Sequence, residues 1–364
     1  MTAESEAPRI GVVADDLTGA CDVAAAYLAA GHGVRVATAS LDPRALTGPG
    51  WREETAVAVV DTDSRSDPPR TAYRKVRAAV TALREWGARR IYKKVCSAFR
   101  GNIGPECDAL LDGLALTALT LVAAFPQNGR ATEGGVHTIH GRPLALSEFA
   151  SDPIHPATES NLVVAWQAQT QRRVGLIRLK TVRKGPAAIR RALARARAAD
   201  ITYTLCDAVE WEDVRAIGAA LADAPAAAGA GGLAEALVPH WLRDAPQMRR
   251  DVRLPGGPAG VLVVAGSITE KTRAQIAALE RRGAPVFTLD HRAALSEGEG
   301  AADRLALAAA RAASADVVVL RSENSPAAVA QARAAGAAQG LDGLSVSRLI
   351  STLLARGAAA FLAK

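Results

Sequence analysis

Residues 9–20 read RIGVVADDLTGA, an apolar run that passes directly into two aspartates and a Thr-Gly pair. The run from Arg9 to Ala14 has the length and apolar content of a buried strand. The apolar periodicity that follows, from about Ala20 to Ala30 with Gly31 behind it, predicts a helix. A strand, a polar turn and a helix form one β-turn-α unit, and repeats of such a unit predict a parallel sheet.

The same alternation continues along the chain. Further strands are predicted at 34–38, 55–61, 90–94, 120–124, 174–179 and 201–206, with helices such as 71–86 and 105–111 between them. Residues 127–161 lack periodicity and predict a long ordered loop, a candidate binding element. The Ala/Gly-rich run 224–232 fits either a helix end with a close-packed turn or a flexible linker.

A second series of elements begins after a charged, Gly/Pro-rich segment at 247–258, which we interpret as a linker. It predicts strands at 260–265, 286–289, 316–320 and 358–363, with helices at 270–282, 301–313 and 345–355. The expected fold is therefore α/β with two domains, 1–246 and 259–364, each a mostly parallel sheet flanked by helices.

The composition argues against nucleic-acid-binding and membrane-spanning proteins. The 364 residues carry a net charge of +7 but only 4% aromatic side chains, few for a surface that stacks bases, and the arginines at 190–197 fit solvated helix faces. Four cysteines without metal spacing, and no secretory signal, favour a reduced cytoplasmic setting. The longest apolar stretch, about 114–127, is too short to span a bilayer. We expect neither nucleic acid nor membrane as a partner, and the sequence leaves a homo-oligomer open.

Two polar clusters follow predicted strands of the first domain. Asp15 and Asp16, with Thr18, can accept hydrogen bonds from substrate hydroxyls, or one can act as a base; a helix cap is the alternative. Residues 93–104, KKVCSAFRGNIG, place Lys94, Arg100 and a glycine turn before a helix, which suits a carboxylate or phosphate, although a solvated basic turn is also consistent.

The remaining clusters are less specific. His155 has prolines close on either side, Pro153 and Pro156, so it is either a preorganised binding residue or a structural residue that ties the loop together. His137, His140 and His155 are not accompanied by a second pair of ligands at a spacing typical of zinc sites, so no metal site is predicted. Gly266, Ser267 and Thr269 follow a strand and precede a helix, which fits phosphate binding or a cap; neither a P-loop nor a GxGxxG fingerprint is present.

Five blocks together resemble the four-carbon acid sugar kinase family. They are ADDLTGA at 14–20, the turn at 93–104, FPQNGR at 125–130, GRPL at 141–144 and FASDPIHPATESN at 149–161. The resemblance implies an N-terminal domain that binds a sugar acid and a C-terminal domain that binds ATP with Mg²⁺. The γ-phosphate would pass to a terminal hydroxyl of a threonate- or erythronate-like acid.

The resemblance also implies roles for individual residues. Asp15 and Asp16 would be catalytic, and Arg100 with Gly101 would hold the substrate carboxylate. The other implied substrate-binding residues are Thr18, Lys94, Ser97, Asn102, Asn128, Arg130 and His155, and Gly266, Ser267 and Thr269 would bind the nucleotide.

The chain departs from the family pattern at two places. Cys96 stands where the family has aspartate, which removes a strong hydroxyl acceptor. The family also continues beyond a segment like 361–364 into a glycine-rich turn that lines ATP, so the C-terminal domain is expected to be incomplete and to bind nucleotide poorly. Two alternatives follow: a sugar-acid-binding or regulatory protein without phosphate transfer, and a nicotinamide-linked oxidoreductase, which the missing fingerprint disfavours.

Overall fold

The structure is a computed structural model that describes residues 9–38, 46, 51, 55–152, 154–243, 245 and 260–363. It divides into two compact units, Met1–Asp251 and Val252–Lys364. The predicted linker at 247–258 lies outside the described residues. None of the described helices combines the length and apolar character that crossing a membrane requires.

The first unit alternates strands and helices as the sequence predicts. Its strands are β1 (Ile10–Ala14), β2 (Val34–Ala37), β3 (Val57–Asp61), β4 (Arg90–Lys94), β5 (Leu119–Val122), β6 (Arg130–Glu133), β7 (Val136–Ile139), β8 (Arg142–Pro143), β9 (Val174–Ile177), β10 (Tyr203–Cys206) and β11 (Ala226–Gly229). Its helices are α1 (Leu17–Ala29), α2 (Pro69–Trp86), α3 (Ile103–Leu114), α4 (Leu162–Gln167), α5 (Leu179–Val182), α6 (Pro186–Ala198), α7 (Trp211–Ala220) and α8 (Gly231–Trp241).

Eight of these strands form a wholly parallel sheet in the order β2-β3-β1-β4-β11-β5-β10-β9. Every residue of β1 is buried, as expected for a parallel strand covered on both faces. Helices α2, α3 and α4 contribute to the core on one face of the sheet, and α1 and α5–α8 to the core on the other. The predicted α/β class with a parallel sheet is confirmed.

Two sequence-based predictions for this unit are wrong. The Ala/Gly-rich run at 224–232 is neither a helix end nor a linker, because β11 lies within it between β4 and β5. Small residues suit this central position: a Cβ added at Gly229 would lie 2.5 Å from the Val122 carbonyl oxygen. The stretch 127–161, predicted to be a long ordered loop, contains regular structure, since β6, β7 and β8 form a small antiparallel sheet there.

The second unit contains β12 (Val261–Ala265), α9 (Glu270–Arg281), β13 (Val286–Leu289), α10 (His291–Glu297), α11 (Glu299–Ala310), β14 (Val317–Ser322), α12 (Pro326–Ala337) and α13 (Gly343–Leu362). Its described strands form a parallel sheet in the order β12-β14-β13. The core lies between this sheet and helices α10–α13.

The predicted strand at 358–363 is wrong, because α13 continues through Leu362. Residues 358–360 are alanines, the strongest helix formers, and they carry no β-branch that would favour a strand. Gly357 also lets α13 approach α11, since a Cβ there would lie 3.2 Å from the Ala302 carbonyl oxygen.

Candidate functional site

The site in the first unit forms where three neighbouring strands end. Ala14 of β1 pairs with Asp61 of β3 on one side and with Lys94 of β4 on the other. The loops that follow these three strands therefore lie side by side at the carboxyl edge of the sheet, where α/β folds bind ligands. This register brings the first two predicted clusters together.

Asp15 is a deeply buried carboxylate at this edge, with 2% of its surface exposed. Its Oδ2 accepts a hydrogen bond from Nε of Arg65 at 2.7 Å, while its Oδ1 is buried and has no partner among the described residues. Burial raises the pKa of Asp15, but the positive charges of Arg65 and Lys93 outweigh this and lower the pKa to about 2. Asp15 is thus an ionised acceptor with one free oxygen.

Asp16 caps a helix and forms an ion pair. Its Oδ1 accepts from the Gly19 backbone N–H at 2.9 Å and caps α1, and its Oδ2 pairs with Nη1 of Arg65 at 2.7 Å. Thr18 lies on the exposed first turn of α1, outside this ion pair. Arg65 therefore bridges the two aspartates and fixes their relative orientation.

A buried charge network lies beneath the edge. Nζ of Lys93 pairs with Oε2 of Glu106 at 2.8 Å, with both side chains at most 1% exposed, and Ser64 donates to Oε1 of the same glutamate at 2.6 Å. Burial lowers the pKa of Lys93, but Glu106 outweighs it and the pKa rises overall. Lys94, also buried, donates to the Val95 carbonyl at 3.1 Å and lies next to Gly19.

The turn after β4 is held by internal contacts. Arg100 donates from Nε to Sγ of Cys96 at 3.3 Å and from Nη1 to Oδ2 of Asp152 at 2.5 Å. Its guanidinium also lies over the Phe149 ring, 4.9 Å from the centroid. Burial raises the pKa of the Cys96 thiol, but Arg65 and Arg100 outweigh it and lower the pKa overall.

Ser97, Gly101 and Asn102 position this turn against its neighbours. Gly101 has φ +91°, and a Cβ there would lie 2.8 Å from Cγ of Arg65. The Asn102 amide donates to the backbone carbonyls of Ser64, Arg65 and Asp67. The carbonyl of Ser97 accepts from Nε2 of buried His137, which fixes the neutral tautomer. Gly101 and Asn102 thus hold the Arg65 loop in place.

The third cluster meets the same edge. The backbone N–H of His155 donates to Oδ1 of Asp152 at 2.8 Å, and its Nε2 lies 3.1 Å from Oγ of Ser66. Asn128 is exposed, and its carbonyl accepts from Nη1 of Arg130. Burial lowers the pKa of Arg130, and the charge of Glu148 opposes this. Arg130 opens β6, which pairs with β7, and His137 of β7 bonds to the turn after β4.

The predicted nucleotide cluster lies at the carboxyl edge of the second unit. Thr269 caps α9 by accepting from the Thr272 backbone N–H, and its hydroxyl lies 3.2 Å from that of exposed Ser267. Asn324, 1% exposed, follows β14 and donates to the Ser267 carbonyl at 3.1 Å. A Cβ added at Gly266 would meet only a Leu354 side-chain atom, at 3.8 Å, so the backbone is open to a ligand here.

Comparison with known proteins extends the resemblance over both units. Residues 10–237 match the family model of a sugar-binding N-terminal domain, and residues 262–364 match that of a nucleotide-binding C-terminal domain. The chain belongs to the four-carbon acid sugar kinase family.

Two curated relatives carry kinase names. A 3-oxo-tetronate kinase of Burkholderia multivorans is 36% identical over 323 residues, which cover 85% of this chain and 72% of that protein. A D-erythronate kinase of Heliobacterium modesticaldum is 35% identical over 284 residues, 77% of this chain and 62% of that protein.

Solved structures share the fold of this four-carbon acid sugar kinase family member. One structure, from Salmonella typhimurium LT2, is described as a suggested tRNA synthase. It has a TM-score of 0.75 and 30% sequence identity, and the match covers 97% of this chain and 82% of the Salmonella chain. One from Bordetella bronchiseptica, a domain-swapped dimer with bound citrate, has a TM-score of 0.56 and 28% identity over 98% of this chain and 86% of its own.

Four residues of the site were missed by sequence reasoning: Arg65, Glu106, Asp152 and His137 as a positioning group. Arg65 lies in the polar stretch 61–67 that follows β3, so the end of a predicted strand was an available signal. Glu106 and His137 carry no such signal, because they lie inside α3 and β7 and reach the site only through tertiary contacts.

Proposed function

We propose that this chain is an ATP-dependent kinase that phosphorylates a terminal hydroxyl of a four-carbon sugar acid of the threonate or erythronate type. The observation that carries the proposal is Asp15, an ionised carboxylate with a free buried oxygen at the carboxyl edge of a parallel sheet. The names of the curated relatives and the citrate in the Bordetella structure, a hydroxylated carboxylate, support an acid as substrate.

In this proposal the first unit, expected at 1–246, binds the sugar acid. Asp15 accepts the hydrogen bond of the reacting hydroxyl and orients its oxygen, and Asp16 with Arg65 keeps Asp15 in place. A carboxylate with a pKa of about 2 is a weak base. Orientation is still sufficient, because phosphoryl transfer proceeds through a loose transition state that needs little proton removal at first.

The second unit, expected at 259–364, binds the nucleotide in this proposal. The residues present fit a phosphate: Gly266 leaves the backbone open, the Ser267 hydroxyl is exposed, and α9 begins at the next turn. ATP bound there would supply the phosphoryl group, and Mg²⁺ bound with it would neutralise phosphate charge. Asn324 keeps the Ser267 turn in position. The free, mostly buried cysteines agree with a cytoplasmic setting.

The test is a phosphate-transfer screen of the full chain against C4 to C6 sugar acids with MgATP, followed by ³¹P NMR of the products. We expect one or more four-carbon acids to give a phosphate monoester. Calorimetry without nucleotide measures acid binding by the first unit separately. If no acid is phosphorylated and none binds, the proposal is wrong; binding without transfer would favour the sugar-acid-binding alternative instead.

A further inference from the structure

Three arginines, Arg65, Arg100 and Arg130, belong to segments that meet at the turn after β4, and two of them form ion pairs with carboxylates of the protein. Arg65 lies between Asp15 and Asp16, and Arg100 pairs with Asp152. A substrate carboxylate at either one would compete with an existing ion pair. Neither of these arginines therefore offers a free cation, although Arg100 was the residue that the sequence favoured for the carboxylate.

Arg130 differs from the other two. Its Nη1 donates to the Asn128 carbonyl, and among the described residues no carboxylate lies within ion-pair distance, although the charge of nearby Glu148 opposes the effect of burial on its pKa. Its Nε is buried and has no partner among the described residues. Because a buried N–H without an acceptor costs its full desolvation penalty, such a donor is expected where a ligand supplies the acceptor.

The backbone that carries Arg130 is rigid. Arg130 opens β6 and exchanges backbone hydrogen bonds with Phe125, while β6 pairs with β7. Gly129, at φ +70°, makes the preceding turn against His140, whose ring nitrogen would lie 2.3 Å from an added Cβ. The bond from Nη1 to Asn128 leaves Nε and Nη2 as the adjacent donor pair, the edge that grips a carboxylate with two parallel bonds.

A second atom in the same site lacks a partner, and its chemistry is the opposite. Oδ1 of Asp15 is a buried acceptor, whereas Nε of Arg130 is a buried donor. Arg65, the partner of Asp15, contacts Gly101 of the turn after β4, and His137 of β7, the strand that pairs with β6, donates to the Ser97 carbonyl of the same turn, so both residues lie beside this turn. A sugar acid carries a carboxylate for the donor and hydroxyls for the acceptor.

We propose that Arg130, rather than Arg100, receives the carboxylate of the substrate, and that this contact selects open-chain sugar acids over their uncharged analogues. The inference rests on the proposed function and assigns one end of the substrate within it. The carboxylate on Arg130 and a hydroxyl on Asp15 fix the direction of the acid in the site. Lactones, amides and alditols lack the charge that Arg130 requires.

The experiment compares the affinities of erythronate and its neutral amide, measured by calorimetry without nucleotide. In the wild-type protein we expect the acid to bind at least about 10-fold more tightly than the amide, since a charge-assisted pair is roughly twice as strong as a neutral hydrogen bond. Arg130→Ala is expected to weaken acid binding by about 10- to 100-fold and to leave amide binding nearly unchanged. Arg130→Lys keeps the positive charge but cannot donate two parallel hydrogen bonds to a carboxylate, so it should retain part of the preference for the acid over the amide.

Two further variants make the result decisive. Arg191→Ala, on exposed α6, is the matched control and should keep the acid-to-amide ratio. If Arg100→Lys abolishes the preference for the acid over the amide while Arg130→Ala retains it, the assignment of the substrate carboxylate to Arg130 is wrong. Tryptophan fluorescence reports folding of each variant, and Arg130→Lys serves if Arg130→Ala does not fold. If the wild-type protein phosphorylates acids but Arg130→Ala still prefers the acid to the amide, the inference about Arg130 is wrong and the proposed function stands. If the wild-type protein neither binds nor phosphorylates any acid, the proposed function is wrong.

Discussion

The Lys93–Glu106 ion pair should be the most expensive polar contact to break in the first unit. Its side chains are 0% and 1% exposed, and Nζ lies 2.8 Å from Oε2. Glu106→Gln leaves the Lys93 charge buried without its ion-pair partner, with a hydrogen bond to the Lys94 carbonyl and the more distant charge of Asp15 remaining. Breaking a buried pair by removing one partner costs about 3–5 kcal/mol in the free energy of unfolding. For a unit of this size that corresponds to a fall in Tm of roughly 6–20 °C.

Urea unfolding followed by tryptophan fluorescence measures this loss. The five tryptophans, at positions 51, 86, 166, 211 and 241, all precede residue 252, so the signal belongs to the first unit. Asp112→Asn is the matched control: its carboxylate pairs with Arg172 at 2.5 Å but is 38% exposed. An exposed pair of this kind is worth at most about 1 kcal/mol.

A double variant separates lost attraction from an uncompensated charge. Lys93→Met with Glu106→Leu replaces the pair by apolar side chains of similar size, and it should recover most of the stability that Glu106→Gln loses. A loss below about 1 kcal/mol in Glu106→Gln would refute the reasoning, because it would show that the Lys93 charge reaches water or finds another partner.

Three further predictions concern the site. Burial lowers the pKa of His137 to about 4, so the unfolded state binds the proton more readily. The free energy of unfolding of the first unit should therefore fall by about 3 kcal/mol as the pH falls from 6.5 to 4. The urea midpoint should depend less steeply on pH in His137→Asn than in the wild type, and parallel curves would contradict this. In urea unfolding, Gly101→Ala should lower the free energy of unfolding by about 1–3 kcal/mol, more than Gly141→Ala does. Both glycines have positive φ, but a Cβ at Gly141 meets no atom within 4 Å, whereas one at Gly101 meets Arg65. Equal losses would be inconsistent with the Arg65 contact. Asp16→Asn keeps the helix cap but loses the charge that pairs with Arg65, so turnover of the acid should fall at least about 10-fold with a stability loss below about 1 kcal/mol, and unchanged kinetics would reduce Asp16 to a cap.

The fold class could be predicted because each β-turn-α unit is a local pattern. The strand order could not, because the position of β11 between β4 and β5 depends on neighbours more than 100 residues away in sequence. Its alanines are also poor strand formers, so propensity gave no signal there. In α13, by contrast, the alanines at 358–360 continue a helix, which apolar content alone cannot distinguish from a strand.

The candidate site was predictable only where its residues follow a strand. Asp15, Asp16 and Arg100 share this property and Lys94 ends its strand, and the register of β1 with β4 explains why they meet. Sequence reasoning assigned Arg100 to the substrate because it could not show that Asp152 already pairs with it. Internal partners of this kind are long-range contacts, and they decide which charged groups remain free for a ligand.

Cys96 shows how tertiary contacts change the meaning of a substitution. Read from sequence, a thiol in place of the aspartate of the family pattern removes a negative charge. In the structure the thiol accepts from Arg100 at 3.3 Å, and the charges of Arg65 and Arg100 lower its pKa. Two guanidinium groups thus make this thiol more acidic than a free cysteine, and its sulfur still accepts a hydrogen bond at the position of the aspartate. The ion pairs of Arg65 and Arg100 with Asp15, Asp16 and Asp152 are kept, so the substitution leaves the framework that presents Asp15 and Arg130 intact.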